Sequence, residues 1–255
     1  MARTFDGTDD NIDIGNLGTF GSADLTNPFS ISVDLNTTDT TIECLYGVIQ
    51  GAGSDTLFQV LTNQTLPAAG DQDKMTIQLR GDGTEGQLLG RFTNDAVFTN
   101  GVWHNLVVVV DPNGNTITVY LDGTDVPITL TDTGTPNVFS DFASGFLVGA
   151  RENRGTPDLF FTGSLAEFAI WTRALTAAEA AILGDGFSPL FIPNSLRNYL
   201  PIIGRASPEP ELRQSSNGTV TGTTYLAHPR IIYPYGDPKG ITRPSLKQIK
   251  RINDR

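Results

Sequence analysis

Phe161-Thr-Gly-Ser-Leu-Ala-Glu-Phe-Ala-Ile-Trp-Thr-Arg-Ala-Leu-Thr-Ala-Ala-Glu-Ala-Ala-Ile-Leu183 is the stretch on which the fold turns. Its first half reads as a strand, with Leu165, Phe168 and Ile170 apolar, and its second half reads as a short helix. Thr176 and Glu179 stand at the N-cap and N3 spacing of a capping box, so the helix is predicted to begin at Thr176. Gly184 directly follows and is the expected C-cap glycine. A strand that runs into one brief capped helix predicts a β-rich chain with little other helix.

The flanking sequence agrees. Phe29, Ile31, Val33 and Leu35 alternate with Ser30, Ser32 and Asp34, as a half-buried strand requires. Short runs follow at Cys44 to Gln50, Leu57 to Thr62 and Met75 to Leu79, each bounded by Gly, Asp or Asn. A hairpin is expected where Trp103 to Val110 feeds the turn Asp111-Pro-Asn-Gly-Asn115, with Ile117, Val119 and Leu121 pointing inward beyond it. Pro112 presets a turn φ, and Gly114 is expected to supply the positive φ. Val107 to Val110 lacks alternation, which predicts a central strand covered on both faces. Phe146 to Ala150 and Phe160 to Thr172 complete the series. Closely spaced turns without repeated helices indicate an all-β, antiparallel sandwich.

A chain of 255 residues suits one large sandwich. Cys44 is the single cysteine and cannot form an internal disulfide. Its apolar neighbours Ile42, Leu45 and Val48 predict a buried, unreactive thiol. The N-terminus, Met-Ala-Arg-Thr-Phe-Asp-Gly, has no apolar signal-like run, and no segment approaches the ~18 apolar residues of a membrane span. The expectation is a protein made in a cytoplasm, with no membrane partner, in which the sequons at Asn36, Asn63 and Asn217 are incidental.

Charge is unevenly placed. Residues 1 to 190 hold 24 acidic and 7 basic side chains, whereas residues 191 to 255 hold 4 acidic and 10 basic. An acidic body thus ends in a basic arm, which suggests an anionic partner for the arm. Leu246, Ile249 and Ile252 are interleaved with these charges at a spacing of three, predicting a short amphipathic helix that docks on protein. Nucleic acid is not expected, because the body would repel phosphates.

Four motifs occur in order: Phe5-Asp-Gly-Thr-Asp-Asp-Asn-Ile-Asp-Ile-Gly15, Phe29 to Leu35, Gly101-Val-Trp-His-Asn-Leu with Val-Tyr-Leu-Asp-Gly123, and Gly163 to Leu183. Together they resemble the successive motifs of laminin G-like, concanavalin A-like β-sandwich domains. The resemblance implies a jelly-roll sandwich with one short helix and an extended C-terminal arm. Ala166 departs from it, since the family commonly has an acidic residue before the glutamate, and this argues against a site on that strand. Leu196-Arg-Asn-Tyr-Leu-Pro-Ile-Ile-Gly204 and Asn217-Gly-Thr-Val-Thr-Gly-Thr223 resemble the strands that conventionally open such domains. The expected organisation is therefore a sandwich body over 1–190, permuted strands completing it over 191–227, and a basic Pro-rich arm over 228–255. The other reading of residues 196 to 227 is an extended loop carrying Pro201, Pro208 and Pro210.

Catalysis is not expected. Sandwich glucanases place two carboxylates on one strand in a Glu-x-Asp-x-x-Glu pattern, which is absent here. Glu43, Glu85, Glu152, Glu167 and Glu179 are scattered, His104 reads as structural, and His228 has no Ser or Cys nucleophile to serve. Acidic clusters at Asp9, Asp10 and Asp13, at Asp71 and Asp73, and at Asp82 and Glu85 make calcium the one ion to consider. Calcium wants six to eight oxygens from several loops, and clustering in sequence does not show convergence. No cofactor and no metal ligand is therefore assigned.

Two functional classes remain. The first is a non-enzymatic virion structural protein of a tailed bacteriophage, a capsid decoration or tail component, made in the host cytoplasm and located in the virion. Ala227-His-Pro-Arg-Ile-Ile-Tyr-Pro-Tyr235 resembles C-terminal segments of phage-associated laminin G-like proteins. Pro229, Pro234, Pro238 and Pro244 keep the arm extended until it lies on a partner. Arg230, Tyr233, Tyr235, Lys239, Arg243, Lys247, Lys250 and Arg251 are the candidate contacts to a major capsid or tail subunit, and a homo-oligomer is expected. The second class is a carbohydrate-binding module or lectin, calcium-dependent or not, whose partner is a host-surface glycan.

Overall fold

The computed structural model describes residues 2–15, 27–50, 56–62, 74–81, 87–92, 98–133, 145–204, 207–213 and 217–234. Their strands are β1 (Ala2–Asp6), β2 (Asn11–Asp13), β3 (Phe29–Asn36), β4 (Glu43–Gln50), β5 (Thr56–Thr62), β6 (Met75–Arg80), β7 (Gln87–Phe92), β8 (His104–Asp111) and β9 (Thr116–Leu121). They continue with β10 (Thr124–Val126), β11 (Ile128–Thr133), β12 (Leu147–Val148), β13 (Arg151–Asn153), β14 (Thr156–Asp158), β15 (Thr162–Trp171), β16 (Leu196–Leu200), β17 (Thr219–Thr221) and β18 (Thr224–Leu226). Helix α1 (Ala177–Gly184) and a 3-10 turn (Pro189–Phe191) lie between β15 and β16.

The strands form two sheets, antiparallel throughout except for one parallel pair. The first sheet runs β10-β9-β8-β3-β15-β1-β18, with β16 also paired to β15. The second runs β11-β7-β6-β5-β4-β12-β2-β17, with β13 parallel to β4 and closed by β14. Their inner faces enclose Phe5, Phe29, Tyr46, Phe58, Phe146, Phe161 and Phe168 among aliphatic residues from both sheets. Phe29 and Phe58 meet edge to face at 5.2 Å, and Tyr46 and Phe168 do so at 5.5 Å. Such pairs favour one arrangement of the core beyond the area they bury. Cys44 is buried, and burial pushes its thiol up to about 12, which keeps it protonated.

A second apolar layer explains the unbroken valine run. Val108 and Val110 face the main core, while Val107 and Val109 face Trp171, Leu175, Ala180 and Leu183 on the opposite side. Helix α1 lies over the outer face of the first sheet, so β8 is covered twice. The Trp171 indole N–H donates to the Ile192 carbonyl at 2.8 Å, pinning the segment after the helix to this layer.

Two turn residues do other work than the pattern predicts. Both bonds of the Thr176–Glu179 capping box form, but the helix extends through Gly184. The left-handed residue is Gly186 (φ +81), whose N–H donates to the Leu183 carbonyl while the Phe187 N–H donates to Ile182, a Schellman ending. Gly184 is needed for space instead, since a Cβ there would lie 2.3 Å from the Gly123 nitrogen. In the β8–β9 turn the positive φ falls on Asn115 (+50) rather than Gly114. The Gly114 N–H donates to Asp111 Oδ1 at 3.0 Å, and a Cβ would crowd the same carboxylate at 2.7 Å.

Residues beyond the helix add strands to both sheets. β16 pairs with β15 (Phe168↔Leu200, Ala169↔Tyr199), β17 with β2 (Val220↔Ile12), and β18 with β1 (Arg3↔Tyr225). Pro201, Pro208 and Pro210 fall between strands, where the missing N–H breaks no ladder bond.

Candidate functional site

β15 is irregular at its centre. Its pairing with β3 shifts between Ala166 and Ala169, and Glu167 in between adopts φ +54. A bulge of this kind re-aims a side chain, and a left-handed glutamate inside a strand is rarely populated. The Glu167 side chain is thereby buried on the outer face of the first sheet rather than in solvent. Its Oε2 accepts the Tyr199 hydroxyl at 2.6 Å, its Oε1 accepts the Tyr233 hydroxyl at 2.8 Å, and His228 Nε2 lies 3.3 Å from Oε1. Asp34 of β3 is also buried there and accepts the Asn105 amide at 2.7 Å. Burial, reinforced by the Glu167 charge, pushes the Asp34 carboxyl up to about 8. Burial alone would lower His228, but Glu167 and the Pro229 and Pro201 carbonyls outweigh it and raise the imidazole.

The outer face of the second sheet carries a row of polar side chains. Arg151 on β13 donates from Nε and Nη2 to the two oxygens of Asp158 on β14, at 2.7 and 2.6 Å. Its Nη1 reaches Gln59 Oε1 on β5 at 3.0 Å, and Gln59 Nε2 donates to Gln78 Oε1 on β6 at 2.8 Å. Asn153 Nδ2 joins at Asp158 Oδ2, 2.8 Å away. Gly47 of β4 pairs with both Arg151 and Gln59, and its missing side chain leaves the gap the guanidinium crosses. A Cβ at Gly47 would sit 2.9 Å from that of Gln59. The Asp158 side chain is 35% exposed and that of Arg151 16%, Gln59 is buried and Gln78 half-buried, so the row reaches solvent at both ends and is covered at its middle. Guanidinium, carboxylate and primary amides in one row offer planar donors and acceptors side by side.

The predicted contact residues divide in three. Arg230 is exposed, and Tyr233 is engaged with Glu167 of its own sandwich. Tyr235, Lys239, Arg243, Lys247, Lys250 and Arg251 lie outside the described residues, as do Asp71, Asp73, Asp82 and Glu85. Among the acidic clusters, Asp6, Asp9 and Asp10 bring ligand oxygens within 4.8 Å of one another, and Asp13 is not part of that trio. Asp10 is committed to structure, since its carboxylate accepts the Asp6 and Thr223 N–H groups at 3.0 and 2.7 Å and ties the first loop to the β17–β18 turn. His104 lies between Asp122 and Asn100, at 2.7 and 3.0 Å, a strand-end brace. Ala166 argues against a site on this strand, and beside it Glu167 gathers three partners from its own chain, because the bulge decides where that side chain points. Gln59, Gln78 and Arg151 were not singled out in sequence. The signal available was a glutamine at an outward position of each of two neighbouring strands, alternating with the core residues Phe58 and Val60 on β5 and Ile77 and Leu79 on β6.

A two-sheet antiparallel sandwich with a short helix on one outer face defines the structural class. Residues 6–181 match the family model of the concanavalin A-like lectin/glucanases superfamily of laminin G type, and the chain belongs to that family. No curated protein matches it. Among solved structures, a candidate carbohydrate-binding protein of Bacteroides ovatus superposes with a TM-score of 0.61 at 17% identity, covering 88% of this chain and 58% of its own. The chain thus spans little more than half of that protein. The CBM40 module of the Ruminococcus gnavus IT-sialidase aligns with a TM-score of 0.51 at 13% identity, over 72% of this chain and 98% of the module. At these identities the likeness is one of fold.

Proposed function

We propose that the chain is a non-enzymatic glycan-binding module that grips sugar hydroxyls along the Asp158–Arg151–Asn153–Gln59–Gln78 row. The observation that carries this reading is the row itself, in which planar polar groups lie side by side across neighbouring strands and reach solvent at Asp158 and at half-buried Gln78. Supporting it, the solved structures similar in fold include a candidate carbohydrate-binding protein and a sialidase CBM40. A sugar ring presents several hydroxyls that both donate and accept, so a bidentate array can hold it without a deep cavity. Single-site affinity of such a surface is low, and repeated copies on a larger assembly would raise it by avidity. The test is titration calorimetry with oligosaccharides chosen from a glycan array. Asn153→Ala and Gln78→Ala, which leave the Arg151–Asp158 pair intact, are expected to weaken binding at least tenfold; melting falls only modestly, and more for Gln78→Ala, which takes the acceptor of the buried Gln59 Nε2. Absence of glycan binding by the parent, or full binding by both variants, would sink the reading.

A second reading, that of a virion structural protein tied to a neighbouring subunit by its C-terminal arm, is favoured by one observation. Residues 228–234 are fixed to the sandwich through His228, Tyr233 and the backbone bonds between Ser188, Gly186 and Ile232. The basic sequence beyond therefore departs from a fixed root, as an anchoring arm would need. Deleting residues 235 to 255 is expected to abolish co-sedimentation with assembled particles; co-sedimentation that survives the deletion refutes it.

A further inference from the structure

We infer that His228, Tyr233 and Glu167 form a proton-controlled latch, which holds residues 228–234 on the sandwich while His228 is protonated and releases them as protons are lost. His228 Nδ1 faces the Pro229 carbonyl at 2.9 Å, and Nε2 faces the Pro201 carbonyl at 3.1 Å and Glu167 Oε1 at 3.3 Å. Every neighbour of the ring nitrogens in this set is an acceptor. An imidazolium has two N–H donors and satisfies them all, whereas a neutral imidazole must turn a lone pair towards an oxygen. The cage is therefore built for the charged ring.

The surrounding groups work in the same direction. Glu167 from β15 supplies the negative charge, and the Tyr199 hydroxyl from β16 and that of Tyr233 from the segment itself both donate to it. Asp34 from β3 faces the same cluster, and Asp122 from the β9–β10 turn adds negative charge around Asp34. When His228 loses its proton, the partners left around Glu167 are the neutral hydroxyls of Tyr199 and Tyr233 and a neutral ring. When Asp34 ionises as well, two carboxylates share a buried place without the cation that balanced them, which is costly. Lifting the segment hydrates all of them. Against this, the segment would surrender the backbone bonds between Ile232 and its neighbours Ser188 and Gly186, both 2.8 Å, and the packing of the Tyr233 ring on the second apolar layer. Release is a local opening that leaves the two sheets paired.

The sign follows from linkage. His228 is raised above 6.5 in the folded state, so its contribution is complete below 6.5 and disappears as pH climbs through the folded value. Asp34, raised from 3.8 to about 8, binds its proton more tightly when folded, so its contribution also declines across that interval. Both weaken the hold as pH rises, Asp34 between 3.8 and about 8 and His228 above 6.5. The latch lies on the first sheet and is independent of the glycan reading of the second.

The experiment is NMR on the full chain from pH 6 to 9. It follows the His228 ring resonances together with amide exchange at Ser188 and Ile232, corrected for intrinsic exchange rates. The chain has two histidines, so a His104→Gln control completes the assignment. The expected result is a His228 midpoint above 6.5 and a fall of at least tenfold in Ile232 protection as His228 discharges, with β8 amides still protected. A midpoint at or below 6.5, or Ile232 protection that does not change with pH, overturns the latch. Glu167→Gln retains an acceptor but removes the charge, and it should lower the His228 midpoint and move release to lower pH by the same interval; an unmoved release overturns the proposal. Should that variant fail to fold, His228→Gln should leave Ile232 exchange without its pH dependence, and a retained dependence overturns the proposal equally.

Discussion

Tyr46 carries a hydroxyl into the most aromatic part of the core. Its ring lies 5.5 Å from Phe168, 6.1 Å from Phe58 and 6.2 Å from Phe146, and its oxygen has no partner among the described residues. Burial accordingly pushes the phenol well above its usual range. An unsatisfied buried hydroxyl costs about 1–3 kcal/mol. Tyr46→Phe keeps the ring and removes the cost, so it is expected to stabilise the protein by about 1 kcal/mol, read as a rise in Tm of about 2–4 °C. A fall of the same size in calorimetry would mean that the hydroxyl is doing structural work. Nothing in the local sequence marks Tyr46 as different from its neighbours, and the same is true of Glu167. Residue type and alternation are written in the chain, but a left-handed φ at Glu167 arises from the competition of β1, β3 and β16 for β15, which involves residues far away in sequence. That is why the partners of Glu167 were not legible.

At the level of elements, the signals that survived were those with a local cause. The capping box fixed the start of α1 because both of its bonds join residues three apart. The helix end was displaced because two glycines were available, and close approach to Gly123 claimed the first while backbone conformation claimed the second. The valine run of β8 correctly implied cover on both faces, since a strand exposed on one side would have alternated. β12 falls inside the apolar run Phe146 to Ala150, but β13 and β14 were hidden for the opposite reason. Each is three residues long, below any detectable period, and β13 exists because β4 offers it an edge, as β13 does for β14. The polar row depends on that arrangement, as Arg151 reaches Gln59 only once β13 is laid along β4. Half of the candidate site was therefore present as outward glutamines, and the other half only as topology.

For the whole molecule, the strands after the helix are not an appendix. β16 covers the C-terminal half of one flank of β15, β18 covers β1, and β17 covers β2. Arg3, buried on β1, has its guanidinium paired with Glu209 at 2.7 Å. Removing residues 196 to 255 would strip strands from both sheets, open Trp171 and the second apolar layer, and leave Arg3 without that carboxylate, since breaking a buried pair is strongly destabilising. The truncated chain is expected to show no cooperative thermal transition by circular dichroism. A truncation that melts where the full chain does would separate this region from the body and with it the permuted arrangement.

The place of β1 also sets a timetable for synthesis. It lies between β15 and β18, both of which leave the ribosome long after it does. At about 5–20 residues per second, its partners arrive on the order of ten seconds or more later. Until then its apolar face and two open edges must be kept from pairing with other chains. The nascent protein is therefore expected to need more shielding by chaperones than a sandwich whose neighbouring strands are neighbours in sequence, read as a rise in soluble yield when chaperones are co-expressed.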